Sequence, residues 1–314
     1  MSSETTRRAF LGTGAAVCAL TASSADGAPP QEPAPFKLGV ASISFLKFPR
    51  ERAIAMTRAL DVRYINIKFV HLALDSTPEQ IRAARAEFDA AGLTVLGGGL
   101  IPFDKEDEAD IRHKFEYAKL AGFPLIVAGP THTTLPLLEK YVREYDIRLA
   151  VHNHGPEDKQ FPTPQSALAA IQGMDSRVGL CVDVGHTLRA GADPVASLAE
   201  AGPRLFDIHM KDLRKTTVWE ACPVGDGVMP VTAMFRQLEK QRYAGGVMLE
   251  YETDEDNPFP GMQKSFAYMR GVLAGIAFRP SIAQPEHAGF RPDRGSAAHR
   301  SNLGLTSHAP GPPV

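Results

Sequence analysis

The sequence predicts a single (β/α)8 barrel of the TIM type. Three observations carry that expectation. From Phe36 onward, short apolar runs alternate with amphipathic segments, the pattern of βα units on a parallel sheet. Eight such units fit within residues 36–276, a span of about 240 residues, which suits one barrel. Four of the runs in the second half, Leu149–His154, Gly179–Asp183, Leu205–His209 and Val247–Glu250, end in side chains able to bind metal. Barrels build their active sites at strand carboxyl ends. An open doubly wound sheet is the competing architecture, but it usually has fewer strands and a glycine-rich nucleotide loop after the first. Ser42–Phe48 holds no such loop.

The strands are expected, in order, at Leu38–Ser44, Tyr64–Phe69, Leu93–Gly97, Leu125–Ala128, Arg148–His152, Gly179–Asp183, Leu205–His209 and Gly246–Glu250. Between them, Thr77–Ala91 reads as a helix because Pro78 and Glu79 mark its start and Gly92 its stop. Glu108–Leu120 stops likewise before Gly122, and Leu135–Tyr145 carries apolar residues at helical spacing. Pro194–Ala201, Val231–Gln241 and Met262–Ala274 complete the helical set. Gly97, Gly98 and Gly99 read as a tight strand turn near the substrate rather than a phosphate cradle.

The termini read differently. Thr6-Arg7-Arg8-Ala9-Phe10-Leu11, the weakly apolar stretch Gly12–Ala22 and the small residues Ser23 and Ala25 match a twin-arginine export signal over residues 1–25. A Pro-rich linker follows at 26–35, so the mature chain is expected to be periplasmic. Residues 277–314 hold several prolines and no apolar period, and are expected to be disordered.

Composition narrows the partners. The net charge is −2 and the acidic and basic residues are interspersed, without a Lys/Arg run that would track phosphates, so nucleic acid is not expected. No window reaches the ~18 apolar residues of a membrane span. Of the three cysteines, Cys18 lies in the leader, Cys181 in a strand and Cys222 in a loop, which is no disulfide framework.

Residues two apart share a strand face. His152 and His154, His209 and Lys211, and Glu250 and Glu252 are such pairs, and His186 lies just beyond Asp183. If the four runs are neighbouring parallel strands, His152, Asp183, His209 and Glu250 converge on one point. Two imidazoles and two carboxylates suit one divalent ion, Mn, Co, Zn, Fe or Mg.

The segments His152-Asn153-His154-Gly155, Asp183-Val184-Gly185-His186, His209-Met210-Lys211-Asp212 and Leu249-Glu250-Tyr251-Glu252 resemble motifs of the sugar phosphate isomerase/epimerase superfamily, the xylose-isomerase-like TIM barrels. The resemblance covers most of residues 36–276. It implies a divalent metal held by Asp183, His209 and Glu250, with His152 in the fourth ligand position and His186 binding substrate. It also implies an enzyme that moves a proton beside a carbonyl of a sugar, keto-sugar or cyclitol.

One departure is informative. Ketose epimerases of that superfamily have Glu where His152 stands, as one of two acid/base carboxylates. A metal-bound imidazole cannot be that second base, which favours one-base isomerisation or dehydration over symmetric epimerisation. His152, together with the later Gly225-Asp226-Gly227, is similar to inosose dehydratase and exported keto-sugar-active relatives. Glu250 is then the expected base. Lys211 or His154 can donate to an oxyanion or a leaving hydroxyl. Lys68 and His71 are expected to bind substrate oxygens, and Glu252 to line the substrate site or to orient a ligand. The partner implied is a small carbohydrate, the absence of an Arg cluster near the site and the expected export favour an unphosphorylated one, and a homo-oligomer is one option for the assembly. The competing readings are a non-catalytic sugar-binding barrel and an endonuclease IV-like phosphodiesterase, which would need further His and Glu ligands and a basic groove.

Overall fold

The computed structural model describes residues 36–216 and 218–277. The expected signal peptide, the linker and the tail beyond residue 277 lie outside the described residues. Among the described residues ten strands occur in chain order: β1 (Lys37–Ala41), β2 (Tyr64–Ile67), β3 (Thr94–Phe103), β4 (Leu125–Pro130), β5 (Arg148–His152), β6 (Val178–Asp183), β7 (Leu205–Met210), β8 (Asp212–Leu213), β9 (Ala221–Cys222) and β10 (Gly246–Leu249). Eight of them close a barrel in the order β1-β10-β7-β6-β5-β4-β3-β2, and all its pairings are parallel. The short β8 and β9 pair with each other, antiparallel, outside the barrel.

The helices are α1 (Arg50–Ala59), α2 (Pro78–Ala90), α3 (Glu108–Leu120), α4 (Leu135–Tyr145), α5 (Pro164–Ala170), α6 (Val184–Arg189), α7 (Pro194–Ala201), α8 (Val231–Lys240) and α9 (Phe259–Ala277). Local chemistry sets their ends. Thr77 and Gln80 form a reciprocal capping box at the start of α2, with Pro78 in the first turn. Asp107 and Asp193 accept backbone N–H bonds at the starts of α3 and α7. The helices bury one stripe each against the strands, and Phe88, Phe115, Phe235 and Phe266 are fully enclosed. Each such side chain contributes roughly 1.5–3 kcal/mol by leaving water.

Three features differ from the sequence expectation. Ser42–Phe45 is a 3-10 turn rather than the end of β1. β3 runs on through the three glycines to Phe103. The glycines serve packing there, since a Cβ on Gly98 would sit 2.0 Å from the Phe123 ring. Helices α1, α5 and α6 were not evident in the sequence, because α5 and α6 span only 7 and 6 residues and α1 has a weak apolar stripe.

Candidate metal centre

The four metal-capable strand ends belong to consecutive staves, β5, β6, β7 and β10. Cross-strand register aligns them. His152 pairs with Cys181, Asp183 with His209, and His209 with Met248. Glu250 follows β10 directly and extends the ladder, its N–H donating to the Met210 carbonyl at 3.0 Å. The side chains of His152, Asp183, His209 and Glu250 meet inside the barrel mouth with one donor atom each, all within 4.8 Å of one another.

His152 Nε2 lies 3.0 Å from His209 Nδ1, which is 2.6 Å from Glu250 Oε2. Asp183 Oδ2 is 3.5 Å from His152 Nε2 and 4.0 Å from His209 Nδ1. Four donors bonded at about 2.1 Å to one tetrahedral ion would stand about 3.4 Å apart, so the spacing fits such an ion. The polar bookkeeping agrees, since Asp183 Oδ2 and Glu250 Oε2 are buried without a directed hydrogen bond. His152, Cys181 and His209 form an overlapping group. Burial pushes the Cys181 thiol well up, so it stays protonated and is the poorer ligand.

The electrostatics suit a cation. Burial lowers His152, and it takes His209 down to about 3, so both imidazoles are neutral, the form that ligates a metal. Burial would raise the two carboxyls, but positive neighbours overturn it. Lys211 dominates at Asp183, and Lys211 with Lys68 acts at Glu250, and both carboxyls lie well below the usual range.

Residues 54–272 match the xylose isomerase-like TIM barrel family. The chain belongs to that family. Among curated relatives it is 27% identical over 164 residues to the rhizopine catabolism protein MocC of Rhizobium meliloti, covering 46% of this chain and 50% of that protein. The chain thus spans about half the length of this relative. It is 23% identical over 251 residues to an inosose dehydratase of Clostridium beijerinckii, covering 71% of this chain and 82% of the relative. Among solved structures, the IolI protein with a bound zinc atom superposes with a TM-score of 0.65 at 18% identity, over 76% of this chain and 99% of that one. That likeness is one of fold.

In this xylose isomerase-like barrel two buried lysines flank the ligand set. Lys68 Nζ is 3.1 Å from Glu250 Oε1. Lys211 Nζ is 3.2 Å from Asp183 Oδ2 and 3.5 Å from Glu250 Oε2, and it pairs with Glu252 at the rim. Burial works against the Lys211 charge, but the three carboxylates outweigh it and hold the ammonium protonated. His186 lies above Asp183 in α6. Arg189 donates to His186 Nδ1 at 3.3 Å, which leaves the proton on Nε2, and burial lowers the ring to about 4. His154 is exposed at the rim, with its ring 4.5 Å from that of His186.

His71 is placed differently from the expectation of a substrate contact. It is buried, its Nε2–H donates to the Phe48 carbonyl at 3.1 Å, and its Nδ1 accepts from Ser42 at 2.9 Å. Both nitrogens are committed, so His71 braces the loop beneath Lys68, whose N–H also donates to Ser42.

Several supporting residues have no signal in the sequence pattern. Asp183 Oδ1 accepts the His186 N–H at 2.8 Å as the cap of α6, which turns Oδ2 toward the centre. Asn153 grips the Asp183 backbone from both sides, accepting its N–H at 2.9 Å and donating to its carbonyl at 3.2 Å. On the far side of His209, Nε2 faces Asp207 Oδ2 at 3.9 Å, and Asn66 donates to that oxygen from across the barrel. Trp219 stacks on His186 at 5.0 Å.

Proposed function

We propose that this protein is a divalent-metal-dependent enzyme that abstracts a proton beside the carbonyl of a keto-sugar or cyclitol, with dehydration favoured over isomerisation. The observation that carries the reading is the buried four-donor set flanked by Lys68 and Lys211. The inosose dehydratase relative and the zinc in the IolI structure support it. A bound divalent ion would supply Lewis-acid stabilisation of charge on a substrate oxygen. Glu250 takes the carbon-bound proton. Lys211, kept protonated by its carboxylates, gives a proton to the departing hydroxyl, which leaves as water. Proton return from Glu250 to Lys211, 3.5 Å away, resets both groups. Lys68 positions Glu250 through Oε1, and neutral His186 donates from Nε2 to a substrate oxygen.

The test incubates metal-analysed protein with a panel of keto-sugars and inososes in D2O and follows exchange and dehydration by NMR. Exchange at the carbon beside the ketone is expected for at least one substrate. Glu250→Gln should slow it by about 10² or more. Lys211→Met, which leaves the four ligands in place, should slow loss of water more than exchange. No exchange with any substrate, despite a full metal complement, would sink the proposal.

A further inference from the structure

Trp219 is the single tryptophan of the chain. It lies apart from the hydrophobic core and is 40% exposed. Its loop is rooted by the β8–β9 pairing and by the Arg214 N–H donating to the Glu220 carbonyl. The indole stacks on His186 at 5.0 Å and 24°, with Lys211 Nζ 5.0 Å and Arg189 Cζ 5.3 Å from the ring centroid. A large aromatic held on cations at a barrel mouth adds little to core packing. Its position makes it the roof over His186 and Lys211, two residues the proposed function assigns to substrate.

Such a roof selects by shape. A six-membered polyhydroxylated ring gathers C–H bonds on its faces, giving a flat, weakly apolar surface that can lie against an indole. An open-chain polyol of similar size presents hydroxyls on every side and has no such face. Pockets of this kind combine an apolar wall with a few placed polar groups. We propose that Trp219 is the stacking platform that restricts this site to six-membered polyhydroxylated rings, cyclitols or pyranoses, over open-chain sugars. The indole now covers His186 and Lys211, so a ring entering the site displaces it from His186 and lies against the face that is uncovered. This inference rests on the carbohydrate reading above and deepens it.

The single tryptophan makes the test direct. Metal-loaded protein is titrated with myo-inositol and with D-mannitol, a ring and an open chain of six hydroxyls each, reading indole emission and, independently, calorimetric heat. A saturable emission change with myo-inositol is expected, with D-mannitol binding at least about tenfold more weakly. Trp219→Ala should weaken myo-inositol by about tenfold or more, and Trp219→Phe, which keeps a platform, by less than about threefold. Equal affinity for the two probes, an unchanged affinity in Trp219→Ala, or no binding of myo-inositol would each overturn the platform. The proton-exchange experiment reads the proposed function separately, so the two can fail independently.

Discussion

His209 shows how single residues are tuned for this site. Its Nδ1 faces the other donors, and its buried Nε2 lies 3.9 Å from Asp207 Oδ2, beyond hydrogen-bond reach. It stays neutral because it is buried, as do His152 and His186. Each has a folded pKa below the ordinary 6.5, so the unfolded chain takes up more protons as pH falls. The stability they hold is complete above about pH 6.5 and is lost progressively toward pH 4 and below. Asp183 and Glu250, also held low, lose theirs in the same direction below their ordinary range. Asp207 works the other way, since burial raises it to about 8 and the folded chain keeps its proton at neutral pH. Three histidines against one carboxyl set the direction. Metal-free protein is therefore expected to show a falling Tm from about pH 6.5 to pH 4 in calorimetry. A flat or rising Tm across that window would show that these rings are not held neutral by the fold.

At the scale of elements, the Gly225-Asp226-Gly227 segment owes its shape to Asp212. The buried Asp212 carboxylate accepts N–H bonds from Leu213, Gly225, Gly227 and Met229 at 2.8–3.1 Å. A Cβ on Gly227 would lie 2.2 Å from Asp212 Oδ1, and Gly225 sits at φ +100°, so the glycines are the form this wrap requires. Asp212→Ala strands four donors and is expected to cost about 3 kcal/mol or more in urea denaturation. A loss below about 1 kcal/mol would show that the loop holds without it. The alternation of strand and helix was legible because apolar runs and caps are local signals. The ligand positions were legible because polar residues at the ends of buried runs stand out. What the pattern did not carry is non-local. Cys181 pairs with Asp207 while Leu180 pairs with Leu205, leaving Phe206 as a bulge that breaks strict alternation at the start of β7. Asn66 reaches Asp207 from a strand on another part of the wall, and Asn153 and Trp219 act from loops, where no periodicity marks a residue. The placement of His71 departs from the sequence expectation for the complementary reason, since sequence gives a histidine's position but not the partners that occupy its nitrogens.

For the whole molecule, the donor set ties together four neighbouring staves of the eight-stranded barrel, so a bound ion should act on global stability. An ion that binds only the folded chain stabilises it by about 2.7 kcal/mol at one hundred times its Kd. In a domain of this size each kcal/mol moves Tm by roughly 2–4 °C, so saturation should raise Tm by about 5–10 °C over EDTA-treated protein. Because His152, Asp183, His209 and Glu250 meet at one point, elemental analysis should find one ion per chain. Three would favour the endonuclease IV-like alternative. His209→Ala removes a central donor and should abolish the shift, whereas Lys211→Met, outside the donor set, should keep most of it. The shift should track the metal rather than ionic strength, since the surface ion pairs are exposed and contribute little. If wild-type protein binds its ion with no change in Tm, or if His209→Ala responds as wild type does, the ion sits elsewhere and the four strand ends are not its site.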